Sequence, residues 1–249
     1  MQHTPVPSGR CDLSDGKIHV WSLHLDAPTA VVDRFASFLT ADEAARAARF
    51  RHDTHRRAFV VARGALRILL GRILGTAPGS LRFRYGTHGK PSVTDDDQVD
   101  FSASDTEGLA MFALARECEL GLDVEKIRPM PEAARIAGAY FTADEAASLA
   151  STQGDEGAFF RYWVCKEAFV KATGEGLTRP LDGFGLTFQR GESVALEDVS
   201  AEGDRTAGWT LQLLDPPAGY AAALAYRGGR RAVAAWPVLT ADDFLSVAL

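Results

Sequence analysis

The stretch Trp163-Val164-Cys165-Lys166-Glu167-Ala168-Phe169-Val170-Lys171-Ala172-Thr173-Gly174-Glu175-Gly176-Leu177 decides how the rest of the chain is read. Wound as a helix, it continues a row of Phe160, Val164, Ala168 and Ala172 at i, i+4 spacing, which is a core stripe. Phe159, Trp163, Glu167 and Lys171 form the adjacent row. A carboxylate and an ammonium therefore sit one turn apart, beside an aromatic ring and against the core. Gly174 and Gly176 supply the helix stop. Taken alone, Glu-x-x-x-Lys is also the spacing of an ordinary surface ion pair.

Upstream lies Asp123-Val124-Glu125. On a strand, alternate residues share a face. Leu122 and Val124 take the core side, and Asp123 and Glu125 project together on the other, ~7 Å apart along the strand. Two solvated acids on an exposed edge have the same pattern. With Glu167 as a third oxygen ligand, the set suits Mg²⁺, which keeps waters and bridges to substrate phosphates. Soft ligands are absent, against zinc or copper. Lys171 and its neighbour Lys166 reach for the same phosphate, and Lys90, behind a glycine loop, is a further phosphate-binding candidate. Carboxylates, a hard cation and several lysines make a phosphoryl-transfer site. No Gly-x-x-x-x-Gly-Lys-Ser/Thr occurs, so it is not a P-loop.

The whole chain sets the bounds. Its 249 residues, 46% apolar and 24% charged, fit an ordinary globular protein with a full core. The net charge of −6 excludes a general nucleic-acid binder. Positive charge gathers locally, at Arg46, Arg49, Arg51, Arg56, Arg57, Arg63 and Arg67. Most of these read as a solvated helical surface, and some as a site for phosphates or an acidic partner. Cys11, Cys118 and Cys165 are far apart with no Cys-x-x-Cys, as in a reduced cytoplasmic protein. Residues 1–16 read as a flexible lead-in without a signal-peptide core, and no segment is apolar enough to span a membrane.

Two segments echo each other. Leu39-Thr40-Ala41-Asp42-Glu43-Ala44 and Phe141-Thr142-Ala143-Asp144-Glu145-Ala146 are both capping boxes. Each precedes a long apolar helix, over 54–74 with Gly75 as its stop, and at the central stretch. Strands are expected at 18–23, 81–85, 109–115, 182–189, 207–214, 220–226 and 231–236. Leu120–Glu125 is expected to pair with 109–115 as an antiparallel hairpin. Thr240 caps a last helix. The order argues for an α+β fold of two similar halves, 1–119 and 120–249.

The strand Gly121-Leu122-Asp123-Val124-Glu125-Lys126, followed by Trp163-x-x-Lys166-Glu167-Ala168-x-x-Lys171-x-x-Gly174-x-Gly176-Leu177, resembles the paired signature of 4′-phosphopantetheinyl transferases of the surfactin-synthetase-activating type. Gly89-Lys90-Pro91 is similar to that family's Gly-Lys-Pro loop. Phe101-Ser102-Ala103-Ser104-Asp105-Thr106 stands where the family has Phe-Asn-x-Ser-His-Ser. The resemblance implies two halves related by a pseudo-twofold, with coenzyme A in the cleft between them. It implies a monomer that transfers phosphopantetheine to a serine of an apo acyl, peptidyl or aryl carrier protein, releasing adenosine 3′,5′-bisphosphate. By resemblance, Asp123, Glu125 and Glu167 hold Mg²⁺, Glu167 accepts the proton and Lys171 neutralises the phosphate in flight. Lys90, Lys166, Ser104 and Asp105 belong to the coenzyme A site, and Arg46 to its 3′-phosphate. Ser102 and Asp105 depart from the family pattern. Asp105 puts a carboxylate where a phosphate contact is expected, so pairing with an arginine or lysine is expected for it. It also leaves open a non-catalytic relative that only binds coenzyme A or a carrier protein. A metal-dependent phosphohydrolase is a third reading, to be told apart by coenzyme A cleavage without any carrier.

Overall fold

The computed structural model describes residues 13–94, 96–152, 155–189, 191–199 and 205–248. Strand β1 (Ile18–His24) leads to helices α1 (Thr29–Ala36), α2 (Ala41–Ala48) and α3 (Asp53–Leu74). Strands β2 (Phe83–Tyr85), β3 (Pro91–Val93), β4 (Val99–Thr106) and β5 (Leu109–Arg116) follow. The same order then recurs. Strand β6 (Leu120–Lys126) leads to α4 (Ala133–Tyr140), α5 (Ala143–Ser151) and α6 (Glu156–Thr173). After these come β7 (Phe184–Phe188), β8 (Ser193–Asp198), β9 (Trp209–Leu214) and β10 (Tyr220–Arg227). β11 (Val233–Ala235) and α7 (Ala241–Ala248) complete the order. The fold is α+β, with β1 antiparallel to β5 in the first repeat and β6 antiparallel to β10 in the second.

Side-chain alternation stacks the layers. In β5, Ala110, Phe112 and Leu114 join a core with Val31, Phe35, Leu66 and Leu70 of α1 and α3. Leu109, Met111, Ala113 and Ala115 point the other way, onto Leu122, Val124 and Leu224 of the second sheet. A strand buried on both faces reads as a continuous apolar run, as this one does. β6 alternates likewise, with Leu122 and Val124 between the sheets and Gly121, Asp123 and Glu125 on the α6 side. The approach of α6 is close: a Cβ on Gly121 would lie within the van der Waals surface of Ala168 O and Ala172 N, and 2.8 Å from Ala172 Cα. Ala221, Ala223 and Ala225 of β10 keep the same face low.

Both capping boxes form. Thr40 accepts from the Glu43 amide while Glu43 accepts from the Thr40 amide, and Thr142 and Glu145 do the same. Each glutamate then reaches a buried cation on the following long helix. Glu43 receives Arg67 Nε at 2.6 Å, and Glu145 receives Lys166 Nζ at 2.9 Å. The cations match in their second contacts too. Arg67 donates to Pro78 O and Leu81 O, ahead of β2; Lys166 donates to Leu181 O and Phe184 O, where β7 begins. Arg67 lies over Phe83 and Lys166 over Phe184, the first residues of those strands.

Some expectations need correction. β6 forms no hairpin with β5. The sheet order is β11-β1-β5-β4, so both edges of β5 are taken, and β6 pairs with β10 in the order β6-β10-β9-β8-β7. Residues 233–248 do not pack as part of a second half. β11 runs parallel to β1, and Phe244 of α7 packs on Phe35 of α1. Helices α1 and α4 and strands β3, β4 and β8 were not expected from the sequence. Cys118 and Cys165 are buried free thiols, while Cys11 and most of the lead-in lie outside the described residues. Among the described residues no helix is long and apolar enough to cross a membrane.

Candidate active site

β4 and β6 are edge strands of different sheets, and they meet through side chains. β6 presents backbone N–H groups with no strand beside them. Leu122 N donates to Ser102 Oγ at 3.0 Å, Val124 N to Ser104 Oγ at 3.4 Å and Lys126 N to Thr106 Oγ1 at 3.3 Å. Every second residue of β4 thus supplies a hydroxyl to every second amide of β6. On the other side, α6 presses Glu167 and Lys171 toward the same strand.

Asp123 sits in this seam, 5% exposed. Its Oδ1 receives Lys171 Nζ at 2.6 Å and Ser104 Oγ at 2.9 Å, and its Oδ2 is buried without a hydrogen-bond partner. Glu125 accepts from Thr106 Oγ1 at 3.1 Å and lies 3.6 Å from Arg128. Burial raises the Asp123 carboxyl against the pull of Lys171. Burial and then the Asp123 charge raise Glu125. Burial, the Asp123 charge and the Glu125 charge raise Glu167, with Lys171 opposing. Three acids raised by burial, two of them also by the Asp123 charge, and one with an unpartnered buried oxygen, form a hard-oxygen donor set that suits a divalent cation. Among the described residues no three His, Cys, Asp or Glu side chains are already gathered as a metal site. Lys171 takes a share of Asp123 instead.

Glu167 and Lys171 face a cleft of about 1000 Å³. The first repeat contributes Arg46, Arg63, Tyr85 and Lys90 to its walls, and the second Tyr140, Trp163 and Arg179. Lys90 Nζ donates to Ala172 O at 2.7 Å, in the last turn of α6. Burial lowers the Lys90 ammonium, and Asp100 and Glu119 pull it back up. Arg46 stays exposed on α2, 5.2 Å over the Phe59 ring. Asp105 keeps exposed surface, yet the protein around it pushes its carboxyl up, against the positive fields of Lys171 and Arg46. The direct ion pair expected for Asp105 is not found among the described residues.

Two expected site residues sit elsewhere than expected. Lys166 is fully buried with Glu145 and two backbone carbonyls, so it is a core cation and reaches no phosphate. It faces the third row of α6, with Tyr162 and Val170, a row the core-stripe reading left out. Ser104 is 8% exposed, with its hydroxyl engaged by Val124, Lys171 and Asp123 rather than turned to the cleft. Arg56 and Arg57 are also engaged, with Asp53 and with Ala27 O and Thr29.

Three wall residues carried little sequence signal. Arg63 is fixed by Glu43 at 2.5 Å and Tyr85 at 3.2 Å, 4.2 Å over the Phe83 ring. Its i, i+4 spacing to Arg67 was the available clue. Arg179 is stacked 4.6 Å over Phe169 and paired with Glu175 at 2.7 Å. Tyr140, 56% exposed, closes α4 beside the second capping box.

Residues 119–225 match the family model described as the 4′-phosphopantetheinyl transferase superfamily. The 4′-phosphopantetheinyl transferase HetI of Nostoc sp. is 35% identical over 92% of this chain and 95% of its own length. The 4′-phosphopantetheinyl transferase Sfp of Bacillus subtilis is 27% identical over 72% of this chain and 80% of its own. Among solved structures, the holo-[acyl-carrier-protein] synthase of Thermotoga maritima aligns with a TM-score of 0.37 at 20% identity, over 45% of this chain and 64% of that one.

Proposed function

Since the chain belongs to the 4′-phosphopantetheinyl transferase superfamily, we propose that it moves phosphopantetheine from coenzyme A to a carrier-protein serine at the seam of β4, β6 and α6. The observation that carries this placement is that Glu167 and Lys171 line a cleft walled by Arg46 and Lys90, with Lys171 bonded to the buried Asp123 of β6 and the Asp123 and Glu125 charges acting on Glu167.

Asp123, through its unpartnered Oδ2, with Glu125 and Glu167, would hold Mg²⁺. When bound, the ion supplies Lewis-acid polarisation of the pyrophosphate and neutralises its charge. Glu167, raised by burial and by its acidic neighbours, accepts the proton of the serine hydroxyl. The serine oxygen forms a bond to the β-phosphorus of coenzyme A. The bond from that phosphorus to the bridging oxygen breaks, and adenosine 3′,5′-bisphosphate leaves with the oxygen. Lys171 offsets negative charge on the transferring group. Arg46 takes the 3′-phosphate, and Lys90 the nucleotide phosphates by exchanging its bond to Ala172 O. Asp105 lies beside the nucleoside, where it accepts hydrogen bonds. One chain carries both repeats, so a monomer in the cytoplasm suffices.

The test is mass spectrometry on a panel of apo acyl, peptidyl and aryl carrier proteins with coenzyme A and Mg²⁺. A gain of one phosphopantetheine on at least one carrier is expected. No gain on any of them, with coenzyme A still bound, would favour the non-catalytic reading; coenzyme A cleavage without a carrier would favour the phosphohydrolase.

A further inference from the structure

The hydroxyl ladder of β4 does more than cover the edge of β6. Hydrogen-bond roles follow from the partners. Val124 N–H and the Lys171 ammonium can only donate, so Ser104 Oγ accepts from both, at 3.4 and 2.9 Å. Its own proton is left for Asp123 Oδ1, 2.9 Å away. Lys126 N–H can only donate, so Thr106 Oγ1 accepts from it and donates to Glu125 Oε2. Each hydroxyl thus grips one carboxylate by one oxygen while the β6 backbone fixes the hydroxyl. The other oxygen of Asp123, Oδ2, stays buried and unpartnered.

We infer that Ser104 and Thr106 are positioning residues, which select the carboxylate oxygens that Asp123 and Glu125 present to a divalent cation. The inference rests on the metal reading of β6 given above. It gives Ser104 a role other than phosphate contact, and it gives Thr106 a role. It also makes the contact between the two repeats part of the active site, because the gripping hydroxyls and the gripped carboxylates come from different sheets.

The experiment is a Mn²⁺ titration followed by electron paramagnetic resonance, with coenzyme A present and no carrier. Thr106→Val is nearly isosteric at a half-buried strand position, where valine is well tolerated. It should weaken Mn²⁺ binding about tenfold, the usual effect of removing a partner of a metal ligand. Thr106→Ser, which keeps the hydroxyl, should bind within about twofold of wild type. Ser104→Ala gives a second case and keeps the test alive if Thr106→Val does not fold. Glu125→Gln is the control. Unchanged Mn²⁺ affinity in Thr106→Val and Ser104→Ala, with Glu125→Gln weakened, would overturn the positioning role and leave the metal reading standing. Unchanged affinity in Glu125→Gln as well would overturn both. A loss in Thr106→Val that serine does not restore would reduce Thr106 to a fold contact.

Discussion

Glu167 carries opposed demands. Its folded-state pKa is raised, by burial first and then by Asp123 and Glu125. The native protein therefore holds that proton more tightly than the unfolded chain does. Stability falls as pH rises from the ordinary carboxylate value through the raised one. Glu167→Gln removes that cost. In chelator-containing buffer its melting temperature should exceed wild type at neutral pH and converge with it below the carboxylate range. Turnover should drop at least ~100-fold, the low end for general acid–base catalysis. A variant that keeps more than about a third of the rate would dismiss Glu167 as the base. Arg46 is exposed, so its value is small: Arg46→Ala should raise the KM for coenzyme A by about 1.4–5-fold, from ~0.2–1 kcal/mol. The KM for the carrier should not move, and dephospho-coenzyme A should not distinguish variant from wild type. Equal losses with both nucleotides would take the 3′-phosphate away from Arg46.

At the scale of the elements, the two glutamates of the capping boxes do double duty. Glu145 caps α5, receives Lys166 and accepts from Leu186 N. Lys166→Met leaves that carboxylate buried without its cation, which costs about 3–5 kcal/mol. Chemical denaturation should show this loss, and Lys166→Met with Glu145→Gln should recover most of it while an amide still caps the helix. A stable Lys166→Met with weakened coenzyme A binding would instead return Lys166 to the cleft. The helix starts were legible because a capping box is local, contained in four consecutive residues. The Asp123/Glu125 face was legible because β alternation is local too. The pairing of Lys166 was not, because its partner lies on another helix, and α6 is buried on most of its circumference. A helix without a solvent stripe does not reveal from spacing which lysine is inside. The expected hairpin failed for the same kind of reason: β5 is bounded by β1 and β4, which only the assembled sheet reveals.

At the scale of the whole molecule, the chain closes on its beginning. β11 completes the β1 edge through Ile18–Val233, His19–Ala234 and Val20–Ala235, and Phe244 and Leu245 are each 1% exposed in the first core. Deleting 233–248 should therefore cost most of the cooperative unfolding transition, seen by circular dichroism on heating. A truncated chain that melts like wild type would make these residues dispensable.

The same closure sets an order on biosynthesis. β1 emerges from the ribosome early and finds β5 as soon as Arg116 is free, but its other edge has to stay open until Val233 is made. At about 5–20 residues per second that interval is roughly 6–23 s. Throughout it, a nascent chain displays an unpaired strand rich in apolar side chains, the kind of edge that recruits strands from neighbouring chains on the same message. Slower initiation, which spaces those neighbours apart, should raise the soluble yield of this protein more than any substitution in its cleft.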